Sequence, residues 1–356
     1  MILKIGSLAS IVLLLMITIG SAGEIGVGGG TSVSGHGGSS AEGILVTTGS
    51  SSQGYVSSSG VIDNLNIDPW VKNTKGDYAE VGVTGTNIAG FAYSYNVYPG
   101  EGSGWDSNGV SAQQWLAASS ADSLHAYTLA SNAAGDEAHS TMDVTSGSIG
   151  NYYSGAYAGS DPWSGYADGA YTQQIADYIK GNDVLAQSWT KNANFLGDQA
   201  SAKTEVVNGE LVEYSDQADA IKYRGWYGYG YYGYGPSAAG VRVNSLSASA
   251  PTGSIDQVQR ASDYFGDTTE VSTSINRGNL YSSYSNSYSE GENGGLTGAY
   301  QSMNAYGDNI GCSAKITNQL LGTFSNSQQF SNKYVNLWNG ASSSFNSVGL
   351  NFGLST

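Results

Sequence analysis

Apolar positions along this chain recur at every second residue rather than at every third or fourth. In the stretch 91–97, Phe91, Tyr93, Tyr95 and Val97 share one face, and Ala92, Ser94 and Asn96 share the other. That alternation is the mark of a half-buried strand. In 203–213, two β-branched or apolar runs flank Asn208-Gly209. This pair favours a type I′ turn, because both of its positions need positive φ, so the pattern predicts a two-residue hairpin. The run 270–288 repeats the idea around Asn276-Arg-Gly-Asn279, with a longer loop. Helical periodicity is weak. The stretch 111–118 predicts two helical turns and 173–179 another, but neither carries a sustained apolar stripe.

These patterns predict an all-β chain with many turns. The architecture expected is an elongated, irregular β-solenoid or a stack of β-arches and hairpins, with a β-sandwich as the competing arrangement. Segments 76–90, 147–159 and 253–266 look related, but their unequal spacing defines no fixed short period. Residues 24–60 are rich in Gly and Ser, with one strand-like segment at 44–48. They read as a flexible N-terminal arm able to add a strand to a neighbour's sheet edge. Residues 61–356 form the β-rich domain.

The first residues bear on the compartment. A short basic start ending at Lys4, an apolar run over 5–19 and the small residues Gly20-Ser21-Ala22 match a secretory signal peptide, assigned here to 1–23. The apolar run is too short and too interrupted for a membrane span, and no second such run follows. The expectation is an exported, extracellular protein with no membrane span after cleavage.

Composition changes the picture in two ways. Charged residues make up only 12% of the 356 residues, yet the net charge is −16. A nucleic-acid partner would require a basic face to neutralise phosphates, and the thirteen basic residues do not cluster. The acidity fits solubility, with loose divalent-cation binding as a further expectation. Cys312 is the single cysteine, so no disulfide forms within the chain. It reads as a small buried hydrophobe, with a bridge between molecules as the alternative.

No catalytic constellation emerges, and no cofactor is expected. The chain lacks a P-loop, a G-x-S-x-G elbow and a Cys beside a His. Asp136, Glu137 and His139 lie close in sequence without a metal-binding frame. Asn64-x-Asn66-x-Asp68 lacks the Gly and the distal Glu of a calcium loop. Gly228, Gly230 and Gly233 fit G-x-G-x-x-G, but Pro236 follows rather than the helix a dinucleotide needs. They belong to GWYGYGYYGYGP, 225–236, where Tyr227, Tyr229 and Tyr231 alternate with Gly before Tyr232 and Tyr234 change sides. The expected role of these five tyrosines is assembly contact: a flat Gly face permits close approach and a Tyr ladder supplies contact area. No Asn in the chain begins an N-x-Ser/Thr sequon, which leaves the surface free of N-glycans for packing.

The signal peptide, the richness in Gly, Ser, Tyr and Asn, the near absence of Cys and the pI near 4.3 together resemble secreted sheath and surface-layer proteins of methanogenic archaea, those with amyloid-like sheath subunits above all. The resemblance implies β-rich subunits that join edge to edge into hoops and tubes around cells. The function expected is therefore non-enzymatic: a homopolymeric structural subunit of a sheath or cell envelope, pairing through strand edges that few Lys and Pro protect. The alternatives are a secreted glycan-binding adhesin and a β-helical polysaccharide-active enzyme.

Overall fold

The computed structural model describes residues 11–13, 26–28, 31–36, 41–48, 51–72, 76–98, 107–132, 135–160, 168–191, 198–222, 237–263, 266–290, 297–318, 321–346 and 349–355. All regular structure among them is β. The strands are β1 (Ile11–Leu13), β2 (Gly26–Gly28), β3 (Thr31–His36), β4 (Ala41–Thr48), β5 (Ser51–Ile67), β6 (Trp70–Lys72), β7 (Tyr78–Tyr98), β8 (Ser107–Ser131), β9 (Glu137–Ser160), β10 (Asp168–Ala176), β11 (Ile179–Lys191), β12 (Gln199–Lys222), β13 (Ser237–Ser262), β14 (Thr268–Glu290), β15 (Thr297–Asn318), β16 (Gly322–Asn346) and β17 (Gly349–Ser355). They make one sheet, and every pairing in it is antiparallel.

Chain order is row order. β3 and β4 form one row, paired to the row of β5 and β6. The rows β7, β8 and β9 follow, then β10 with β11, then β12 to β16 in turn, with β17 along part of β16. The arm at 24–60 therefore does not stand apart. Its strands pair with β5 and β6 and form the first rows of the same sheet.

Each long row bends near its middle and folds back, so that its halves face one another. The amide of Gln114 donates to the carbonyl of Tyr127 in the same strand at 3.0 Å. Within the row of β10 and β11, the amide of Gln174 donates to the carbonyl of Gln187 at 2.9 Å. The bends carry left-handed residues: Ser146 (φ 47°), Asn208 (φ 50°), Arg277 (φ 48°) and Asn332 (φ 49°). They stack in register, Arg277 facing Asp308 between the pairs Asn276–Asn309 and Gly278–Gly307.

This arrangement corrects four expectations. Asn208 does adopt the left-handed conformation, but Asn208-Gly209 closes no hairpin. Val206 lies opposite Val184 and Ile255, and Leu211 lies opposite Ile179 and Ala248. Each flanking run thus pairs with rows on both sides, which satisfies more backbone groups than pairing the two runs with each other. The same holds for 276–279, where β14 runs through its bend. The stretch 111–118 is strand, not helix: Ala112, Gln114, Leu116 and Ala118 point inward, and Ser111, Gln113 and Trp115 do not. Neighbouring rows override a weak local helical preference, and 173–176 follows suit in β10.

The interior is zoned. Aliphatic residues flank the bends, as with Val144 and Ile149 or Ile275 and Leu280. Further in comes a buried polar layer, where Thr128, Ser140 and Ser154 hydrogen-bond to one another. Buried carboxylates and amides close the end farthest from the bends, including Asp136, Asp198, Asp267 and Asn318.

Candidate assembly interface

The turns at that far end explain how rows of similar length stack. Asn132 and Asp136 bracket one turn: Asn132 Oδ1 accepts from the Asp136 N–H at 2.9 Å, and Asn132 Nδ2 donates to Asp136 Oδ2 at 2.8 Å. Asp263 and Asp267 bracket another, with Asp263 Oδ1 accepting from the Asp267 N–H at 3.0 Å. Gly135 (φ 91°) and Gly266 (φ 84°) supply the left-handed step that both turns need. Asn/Asp-x-x-Gly-Asp occurs at 73–77, 132–136, 194–198 and 263–267, between the members of successive row pairs, and also at 304–308 within β15. It is the repeat that a search for short tandem periods overlooks.

These turn carboxylates also bind the opposite ends of neighbouring strands. Ser289 donates to Asp263 Oδ2 at 2.7 Å, and Thr297 and Asn318 donate to Asp267 Oδ2 at 3.1 and 2.8 Å. Burial pushes the Asp263 carboxyl up to about 6, with the charges of Asp267 and Asp198 adding to the shift and the Ser289 bond opposing it. The interior tyrosines Tyr93 and Tyr214 are held well above their ordinary value, first by burial.

The C-terminal end of the stack is different. β16 pairs with β15 along its whole length, but on its other side β17 covers only the stretch from Gly340 to Asn346. Residues 322–339 have no strand partner on that side among the described residues. The inward positions show the consequence. Ile316, Ala314, Cys312 and Ile310 of β15 are buried, whereas their counterparts Phe324, Asn326, Gln328 and Phe330 of β16 are half-buried. Asn339 is buried and its Nδ2 donates to the Asn326 carbonyl at 3.5 Å, yet Asn339 Oδ1 accepts no hydrogen bond among the described residues. Strand, side-chain packing and amide network all stop one row short. Lys333 is the one charged residue in β16, so the edge carries little of the charge that discourages pairing.

Within the half that holds 149–160 and 297–307, the outer chemistry varies from row to row: the β12 stretch carries charge, with Glu213 exposed, and other rows carry none. Segments 51–60, 88–98, 107–119, 149–160 and 297–307 contain no Asp, Glu, Lys or Arg. They expose aromatics instead: Trp115 is 58% exposed and lies 4.9 Å from Tyr153, and Tyr300 lies 5.7 Å from Trp338. The other half carries ion pairs, Arg260 to Glu270 at 2.8 Å and His125 to Asp143 at 2.5 Å. The Asp143 bond holds the His125 imidazole above its ordinary value.

The sequence-derived candidates fare differently. Tyr227, Tyr229, Tyr231, Tyr232 and Tyr234, with the G-x-G-x-x-G around them, lie outside the described residues. Cys312 is 4% exposed in the core, and burial pushes its thiol up. A bridge from there to another molecule requires β15 to open, because exchange needs an accessible thiolate. Asp136 faces the interior, while His139 packs edge-on against Trp189 at 5.3 Å, so the two do not converge. Asn64 and Asn66 are both exposed on β5. Among the described residues, no group of three or more His, Cys, Asp or Glu is placed to hold a metal ion. Comparisons with family models, with curated proteins and with solved structures find no match to this chain.

Proposed function

We propose that this chain is a structural subunit of an extracellular sheath or cell-envelope layer, that its fold is a stack of β-arches, and that it polymerises with copies of itself by edge-strand pairing. The observation that carries this reading is the open edge of β16, where residues 322–339 have no strand on their outer side among the described residues and Asn339 Oδ1 accepts no hydrogen bond. Edges of this kind are templates for another strand, and soluble monomers usually blunt them. At the other end, β1 lies within the segment assigned to the signal peptide and pairs with Thr31 to Val33 of β3. Export with cleavage removes β1 and uncovers that stretch as well.

The test is electron microscopy and fibre diffraction of the mature protein. Hoops, tubes or sheets with a repeat of about 4.7 Å along the stack and about 10 Å between layers are expected. A monodisperse monomer at high concentration overturns the reading. The exposed aromatics support a second reading, a glycan-binding adhesin that stacks sugars on Trp115 and Tyr153. Glycan-array binding lost on Trp115→Ala, in a protein that does not polymerise, favours it over the first.

A further inference from the structure

We propose that the partner of the open β16 edge is the same edge of a second copy, paired antiparallel about a two-fold axis through the bend, and that β17 must leave its place for this pairing to form. The inference rests on the edge-pairing reading above and names the occupant of that edge.

Strand direction excludes simple head-to-tail stacking. From the row of β3 and β4 to β16, the pairings pass through β5/β6, β7, β8, β9, β10/β11, β12, β13, β14 and β15, each reversing direction. That is an even number of reversals, so β4 and β16 run the same way. A copy translated along the stack would set β4 parallel to β16, against the antiparallel rule that every pairing here obeys. A two-fold axis along the arch instead reverses the strand, keeps the bend on the same side and brings β16 to β16.

Side-chain facing then selects the register. Before the bend the inward positions of β16 are even, 324 to 330; beyond it they are odd, as at Val335, Asn339 and Ala341. Antiparallel pairing that matches inward to inward, with bend on bend, sets Asn332 against Lys333 of the second copy. Phe330 then faces Val335, Gln328 faces Leu337 and Asn326 faces Asn339. The apolar pair closes the space beside the bend that leaves Phe330 half-buried. The Asn pair brings a side-chain amide next to Asn339 Oδ1, the buried acceptor that lacks a donor.

The same register locates an obstacle. Beyond Asn339 the second copy's edge is taken by β17, in the space that residues 322–325 of the first copy must enter. β17 is therefore an edge guard. It holds by a short row of backbone bonds, while pairing of the two β16 strands offers a longer one, so displacement lengthens the ladder overall.

Disulfide trapping in the full-length mature protein tests this, with Cys312→Ala to remove the native thiol. Gln329 and Asn336 are exposed and fall opposite each other across the proposed interface. Directly opposed Cα atoms lie about 4.5–5.5 Å apart, within disulfide range. Oxidising a mixture of Gln329→Cys and Asn336→Cys chains is expected to give a covalent dimer, and either variant alone is expected to stay uncrosslinked. In the full chain, Asn351→Pro with Phe352→Pro removes a β17 N–H that bonds β16, whichever of the two faces it. That double variant is expected to raise the trapping rate at least several-fold. Polymers that form normally while the mixture fails to crosslink, or a variant that bridges to itself equally well, overturn the two-fold pairing and leave self-assembly standing. A trapping rate unchanged by the proline variant overturns the guard role of β17. Absence of any assembly defeats both this inference and the reading beneath it.

Discussion

β15 and β16 are neighbouring strands of nearly equal length and similar alternation, yet one is interior and the other is not. β15 lies between two rows, and its inward residues are buried through the whole span. β16 lies against one row for most of its length, and its inward residues before the bend are half-buried. Residue type alone does not account for this, since Phe324 and Phe330 are half-buried although they are apolar like the buried Ile316 and Ile310 that they face. What differs is the number of neighbours. In a stacked sheet, burial is conferred by the next row, and among the described residues β16 has no such row along 322–339. Repeat architectures share this logic and normally end in a polar cap. Among the described residues, the stretch 322–339 of β16 has no such cap.

The sharpest way to break the comparison is one substitution made in both rows. Ile310→Asp puts a carboxylate among closed aliphatic neighbours and is expected to cost more than about 4 kcal/mol, which urea unfolding would read as loss of the folded state under mild conditions. Phe330→Asp, directly across the ladder, is expected to leave the monomer folded at a cost of about 1 kcal/mol while abolishing polymers seen by light scattering and microscopy. Equal destabilisation by the two would mean that β16 is as enclosed as β15.

A smaller effect is expected at the turns. The Asp263 carboxyl titrates near 6 when folded, against 3.8 for the free group. Because the folded value is the higher one, this group favours folding fully below pH 3.8 and loses that contribution as pH rises through 6. Asp263→Asn reproduces the Asn132 turn, keeping the acceptor for the Asp267 N–H without the charge. It is expected to raise stability at pH 7 by about 1–3 kcal/mol and to flatten the pH dependence of the urea midpoint between pH 4 and 7. A steeper dependence would refute the assignment. The smallest change is expected on the outer aromatic face. Trp115→Ser should alter monomer stability by no more than about 1 kcal/mol, the scale of one exposed aromatic pair; a shift in polymer width without loss of polymers would assign that face to lateral packing.

Much of this was legible in the sequence, and the misses are specific. The alternation at 91–97 placed Phe91, Tyr93, Tyr95 and Val97 inward, and all four are buried. Asn208 was identifiable as a positive-φ residue for the right chemical reason, and its φ of 50° agrees. Strand 111–118 was hidden because three of its four inward residues are Ala112, Gln114 and Ala118, types that a half-buried apolar pattern does not register. The open edge of β16 was hidden more completely. Nothing in 322–339 distinguishes it from 297–318 as a string, and the five tyrosines from Tyr227 to Tyr234 drew attention because their composition is extreme.

The sequence by itself determined the period of two and the turn chemistry of Asn, Asp and Gly. These are local properties, set by each residue's own dihedral preferences and its immediate neighbours. The tertiary structure decided that Asn208-Gly209 bends a row instead of closing a hairpin, that Gln114 crosses the core to its own strand, and that β16 stands last. Those outcomes depend on which distant strands satisfy a segment's N–H and C=O groups, and backbone groups are alike at every position, so the pairing they choose is written only in the assembled sheet.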